Sequence, residues 1–128
     1  MKPNCSSMLR LQGVGIMLSA VAKTLEDLRE NGALSGMDIA NVTDVSRATV
    51  SRWTAGKADP QPRTQLILSD LRYVVMRLAE FYTPDDIRVW LYSRNELLGG
   101  QRAVDLIHGG KTEEVLIAIE RLAALTLV

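Results

Sequence analysis

The chain has 128 residues, 47% hydrophobic and only 5% aromatic, a composition that supports a buried core of Leu, Val, Ile and Ala helices rather than a sheet. Its 15 basic and 15 acidic residues cancel, and evenly so: residues 1–62 hold seven Lys/Arg and six Asp/Glu, residues 63–128 eight and nine. This excludes a diffusely basic nucleic-acid binder, so any affinity for DNA must come from a few well-placed cations.

Residues 1–13 read as a loose leader. Lys2 and Arg10, followed by the apolar stretch Leu11 to Ala22, loosely imitate a signal peptide. The apolar spacing of Val14, Met17 or Leu18, Val21, Leu25 and Leu28 nevertheless continues through the charged residues 23–30. One amphipathic helix over about 15–31, stopped by Gly32, and a cytoplasmic protein are expected. No apolar run approaches the ~20 residues of a membrane span.

Residues 14–62 have the pattern of a helix-turn-helix region. A short helix over 37–42 places Ile39 and Ala40 on its inner side, and a turn at Thr43, Asp44 and Val45 leads into a second helix. Ala40 is the small residue needed where two helices cross, and Val50, ten residues on, is the apolar plug. Asp44 stands where the turn needs positive φ, which Asp tolerates better than most residues. Over residues 46–57, Ser46 is a natural N-cap and Gly56 a natural stop. Val50 and Trp53 share one side, with Trp53 expected in the core. Arg47, Ala48, Ser51 and Arg52 fall in the opposite sector, with no acid among them. Ser46, Arg47, Ala48, Thr49, Ser51, Arg52 and Lys57 are the candidate DNA contacts. The plainer alternative is a helical hairpin whose second helix is merely amphipathic. So few phosphate contacts per subunit bind weakly, so specific binding requires a homo-oligomer, in the first instance a dimer.

Residues 58–62, with Pro60 and Pro62, form a hinge. A long connecting helix over about 63–82 carries the stripe Leu68, Leu71, Val75, Leu78 and Phe81, which suits either a core or a homodimer seam. Thr83, Pro84, Asp85 and Asp86 start a helix that includes 87–92, the two acids serving the helix dipole. In it Trp90 is expected in the core and Tyr92 at an interface. Residues 95–100 form a turn ending in Gly99 and Gly100, a helix stop whose exposed backbone is open to secondary use. A short helix over 102–108 closes at Gly109 and Gly110, with His108 as a C-terminal cap. Thr112, Glu113 and Glu114 open a last helix with Val115, Ile119 and Leu122 inward. The sequence carries no strand signal and no internal repeat, so the expected fold is all-α. Its last six residues, Ala123, Ala124, Leu125, Thr126, Leu127 and Val128, carry no charged side chain, and so form either the last turn of a core helix or a covered partner surface.

From about Ser35 onward the chain resembles antitoxins of the Xre/MbcA/ParS type, partners of RES-domain toxins. The resemblance rests on Val50–Gly56 with the prolines behind it; on Val89, Trp90, Leu91, Asn95 and Leu97 to Gly100; and on Ala103 to Ile107, Gly109, Gly110, Val115, Leu116 and Ile119 to Leu122. It implies a DNA-binding half that represses its own operon and, over 63–128, a small helical toxin-binding and oligomerisation domain. RES toxins resemble ADP-ribosyltransferases and consume NAD or use it as a donor. In this family the antitoxin's C-terminal residues block the toxin's NAD cleft, which makes Ala123 to Val128 the plug here, with Gly99 and Gly100 as further toxin contacts. The chain departs from the family at Ala103, where proline is frequent, and at Ala124 and Leu127, where glycine and an aromatic are frequent.

Nothing in the sequence points to catalysis. Ser46, Thr49 and Ser51 have no motif-spaced base, and no phosphate-cradling glycine pattern occurs. His108 is the only histidine and Cys5 the only cysteine, so no disulfide within the chain, metal or cofactor is expected. Two other readings remain: a toxin binder whose helix-turn-helix is a relic used for oligomerisation, and a stand-alone repressor whose second half senses a small molecule.

Overall fold

The structure is a computed structural model that describes residues 19–127, with side chains up to residue 125. The leader over 1–13, and Val14, Met17 and Leu18 of the expected first helix, lie outside the described residues. Among those described, the helices in chain order are α1 (Ala20–Gly32), α2 (Gly36–Thr43), α3 (Arg47–Thr54), α4 (Pro62–Leu78), α5 (Pro84–Tyr92), α6 (Ala103–His108) and α7 (Thr112–Leu127). The all-α expectation holds. No helix in them is long and apolar enough to cross a membrane.

Most helix starts follow from local chemistry. The hydroxyls of Ser19, Ser35, Ser46 and Thr83 each accept an amide N–H of the first turn. Pro62 and Pro84 open α4 and α5, where the missing N–H costs nothing. Asp85 and Asp86 occupy the first turn of α5, and Glu113 and Glu114 that of α7, as the dipole favours.

The long helix α4 is the hub. Its buried face, Ile67, Leu68, Leu71, Val74, Val75 and Leu78, packs against α1, α2, α6 and α7. Leu68, Leu71 and Val75, open in sequence between core and seam, are therefore core. The buried cluster runs without interruption from Leu25 to Ile119 and contains Ile39, Ala40, Val50 and Trp53 of the helix-turn-helix. Each fully buried Leu, Ile or Val contributes roughly 1.5–3 kcal/mol by leaving water. Val115 and Ile119 are sealed inward on α7, and Leu122 and Trp90 are partly buried against the cluster.

Several boundaries differ from the expectation. The first helix includes Gly32, and its left-handed residue is Ala33, at φ 54. Gly32 is small for another reason: a Cβ there would stand 3.2 Å from both Cγ atoms of Val75, so its absence lets α1 and α4 approach closely. α4 stops at Leu78, and Phe81 lies beyond it, edge-to-face with Tyr82 at 5.2 Å. Strand pairing is present although none was expected: Arg94–Asn95 (β1) pairs antiparallel with Gln101–Arg102 (β2). Two residues per strand are too few to leave an alternating pattern. Between them Glu96–Leu98 forms a 3-10 turn, and Arg102 thereby leaves α6 to become its N-cap.

Candidate functional site

The first candidate surface is α3. Asp44 takes the left-handed conformation expected of it, at φ 59, so α2 can turn sharply into α3. Ser46 caps the helix by accepting the Thr49 N–H at 3.1 Å, and its hydroxyl lies 2.9 Å from the Thr49 hydroxyl. Arg52 donates through Nη2 to Thr49 Oγ1 at 3.1 Å, which holds its guanidinium along the helix surface. Ser46, Arg47, Ala48, Ser51 and Arg52 are exposed and Thr49 half-exposed, while Val50 and Trp53 are 4% and 3% exposed. The division of faces expected from periodicity is thus the one found. Lys57 lies past the helix end, exposed, its N–H closing onto the Arg52 carbonyl at 2.9 Å with Gly56 at φ 74. The result is an exposed surface of hydroxyl and guanidinium donors, suited to a polyanion. The exposed carboxylates Asp44 and Asp59 stand just outside it in sequence.

The second candidate surface lies at the other end of the chain. α7 is anchored at its start, where the buried Thr112 donates to Asp70 of α4 at 2.9 Å. It then runs outward. Ala123 is half-buried, Ala124 exposed and Leu125 71% exposed, so at this end the helix has left the core. Residues 126 and 127 continue the helix; their side chains and Val128 lie outside the described residues. The 3-10 turn packs against α7 and presents Leu97, and Ile117 is exposed on α7 itself. Gly99 and Gly100 close this turn at φ 67 and 83, conformations that tax any side chain, and the Gly100 N–H bonds Asn95 at 2.8 Å. Their geometry is that of a stop. The structure does not bring them together with the α3 residues; the two groups occupy separate parts of the molecule's sequence and packing.

A polar bracket that sequence reasoning missed joins α2 to α5. Asp38 of α2 is 6% exposed and accepts from five donors. The Ser35 N–H and hydroxyl reach Oδ2 at 2.8 and 3.0 Å, completing a reciprocal cap. From α5, Arg88 donates to Oδ2 at 3.3 Å and to Oδ1 at 3.0 Å, and the Tyr92 hydroxyl donates to Oδ1 at 2.9 Å. The Arg88 guanidinium also sits 4.9 Å from the Tyr92 ring centre, with that of Arg102 at 5.8 Å. Burial alone would push the Asp38 carboxyl up, but these hydrogen bonds outweigh it and hold it below its ordinary value. Burial, then the bond to Asp38, pushes the Tyr92 phenol up to about 12. Tyr92, expected at an interface, is committed within the chain. The cap was legible as Ser35-x-x-Asp38, and Arg88 and Tyr92 as neighbours one turn apart; nothing local joined the two pairs.

His108 adds a second tie. It sits in the last turn of α6, as expected, but its Nδ1 lies 2.7 Å from the carbonyl of Val42 in the last turn of α2. It satisfies the end of a different helix from its own.

No family model matches this chain. Curated relatives do, among them the mycobacterial cidal antitoxin MbcA of Mycobacterium bovis and that of Mycobacterium tuberculosis. Each is 34% identical over 111 residues, which span 87% of this chain and 95% of the relative. Among solved structures, a chain in the crystal structure of the M. tuberculosis MbcT-MbcA toxin-antitoxin complex matches with a TM-score of 0.74. It is 33% identical, covering 86% of this chain and 99% of that one. The likeness thus spans most of the chain, and the chain belongs to the MbcA family of antitoxins.

Proposed function

We propose that this chain is the antitoxin of a toxin–antitoxin pair, and that it acts by occupying surfaces rather than by covalent chemistry. Its partner is a RES-domain toxin that consumes NAD. The C-terminal segment, residues 123–128, enters the toxin's NAD cleft and blocks it, with the loop at Gly99 and Gly100 beside the contact. The first half, 14–62, binds operator DNA through Ser46, Arg47, Ala48, Thr49, Ser51, Arg52 and Lys57 and represses the operon; residues 63–128 bind toxin and mediate assembly in the cytoplasm. The observation that carries the toxin reading is the exposure of Ala124 and Leu125 towards the end of α7, apolar side chains that their own subunit leaves uncovered, Leu125 being 71% exposed.

The toxin arm is tested by removing residues 123–128 and measuring NAD consumption by the co-purified toxin at equimolar antitoxin. The truncated chain is expected to stay associated but to lose at least about tenfold in inhibition, since five apolar side chains leave the contact. Inhibition equal to that of the intact chain rejects the plug.

The DNA arm is tested with Arg47→Ala and Arg52→Ala together in a gel shift on the upstream promoter, at about 0.1 M salt. Loss of two cationic contacts per subunit is expected to weaken binding roughly 10–1,000-fold and to lower the salt slope, with toxin inhibition unchanged. A second reading, a toxin binder whose helix-turn-helix serves only assembly, draws support from zero net charge and from Asp44 and Asp59 beside α3. Promoter affinity indistinguishable from that for unrelated DNA, in wild type and double mutant alike, would decide for it.

A further inference from the structure

Where the helix-turn-helix meets the rest of the molecule lies a cavity of about 470 Å³. Its walls include Asp44 of the turn before α3, Trp53 of α3, Asp59 of the hinge, Arg63 and Thr64 at the start of α4, and His108 of α6. That volume far exceeds the ~30 Å³ of one water and falls within the range of small-molecule sites, about 300–1,000 Å³. Hydrogen bonding within the chain leaves these walls unsatisfied. The decisive group is Trp53, which is 3% exposed and whose indole N–H has no acceptor among the described residues. A buried donor without a partner is costly, and the cavity that Trp53 lines is where an acceptor can reach it. At the start of α4 the N–H groups of Arg63 and Thr64 also lack acceptors among the described residues, because Gln61 caps the helix without a side-chain bond. The Arg63 guanidinium and the Asp44 and Asp59 carboxylates make no ion pair or hydrogen bond among the described residues. His108 gives its Nδ1 to the Val42 carbonyl, 2.7 Å away, so in the neutral ring Nε2 remains an acceptor.

We propose that this cavity binds a free basic amino acid, with arginine as its type. Charge decides the class of ligand. The walls carry two carboxylates and one guanidinium, and a basic amino acid carries the complement, two cationic groups and one carboxylate. The ligand's carboxylate accepts from the Arg63 guanidinium, the free N–H groups at the start of α4 and the Trp53 indole. Its two cationic groups donate to Asp44 and Asp59, with His108 Nε2 as a further acceptor. A phosphate ester would find the same donors but would be repelled by the two carboxylates. A polyamine would satisfy the carboxylates and leave the buried indole without an acceptor. The inference goes beyond the toxin and DNA readings and depends on neither.

The test reads the indole itself. The chain has two tryptophans, so the proton–nitrogen correlation spectrum of the full-length protein carries two indole signals. The signal lost in Trp90→Phe belongs to Trp90, and the one that stays belongs to Trp53. Titration of the wild type with L-arginine is expected to move the Trp53 signal to lower field and leave that of Trp90 in place, with dissociation at roughly 0.1–1 mM. L-Citrulline, which lacks the side-chain charge, and agmatine, which lacks the carboxylate, are each expected to bind at least about tenfold more weakly. Asp44→Asn keeps a residue that tolerates positive φ, and Arg63→Gln changes an exposed side chain. Each is expected to weaken L-arginine binding about 10–100-fold while the helical circular dichroism stays unchanged. A Trp53 signal that does not move up to about 10 mM L-arginine overturns the proposal and leaves the cavity to water. Agmatine binding as tightly as L-arginine also overturns it, because the site would then be one for polyamines. So does wild-type affinity in both variants, or a Trp53 signal that adenosine monophosphate moves at lower concentration than L-arginine does.

Discussion

Asp38 is the residue through which the first half of the chain grips the second. A carboxylate with five donors is stabilised in its charged form, so its folded pKa is depressed. The stability it contributes is whole above the ordinary value of 3.8 and is lost as the pH falls through the folded value. Tyr92 behaves in the opposite sense. Its neutral form is the one the fold favours, so its contribution is whole below the ordinary value of 10.0 and is lost as the pH rises through about 12. A difference titration at 295 nm, wild type minus Tyr92→Phe, is therefore expected to show one phenol ionising about two units above the ordinary range. A difference curve centred near 10 would mean that in solution Tyr92 is neither buried nor bonded to Asp38 as described.

Among the elements, α1 carries an identifiable defect. Its terminal left-handed position belongs to Ala33, whose Cβ makes φ 54 costly, while the adjacent Gly32 is spent on clearance from Val75. Ala33→Gly is expected to stabilise the protein by about 0.5–1 kcal/mol, net of the added freedom of the unfolded chain. By calorimetry that corresponds to a rise in Tm of about 2–5 °C. An unchanged or lowered Tm would show that the position is not strained. The same element shows the limit of local reading: a glycine at a helix end signals a stop, but the signal does not distinguish a glycine needed for its φ from one needed for its lack of a side chain. α3 presents the opposite case. Its cap, its stop and its division into buried and exposed faces were all legible, because each depends on residues within a few positions of one another.

At the scale of the whole molecule, the helix-turn-helix and the C-terminal helices share one buried cluster, joined through α4, the Asp38 bracket and the His108 tie. They are expected to unfold together. Trp53 and Trp90 lie in different halves and are the chain's two tryptophans, so each can report alone after the other is changed to Phe. Urea transitions of the two single-tryptophan proteins are expected to coincide with the far-UV transition of the same variant, as two-state unfolding requires. Separate midpoints would show that the two halves are independently stable.

The all-α class, the helix-turn-helix spacing, the capping residues and the inward stripes of α4 and α7 are set by the sequence alone. Each arises from interactions within one or two helical turns or from a simple period of apolar residues. Tertiary structure decided the rest. It chose core over seam for Leu68, Leu71 and Val75, drew Tyr92 into a bond with Asp38 across 54 positions of chain, and aimed His108 at a carbonyl 66 residues away. It also paired two-residue strands too short to show alternation. These outcomes depend on which helix faces meet in space, and the chemistry of any one segment does not contain that information.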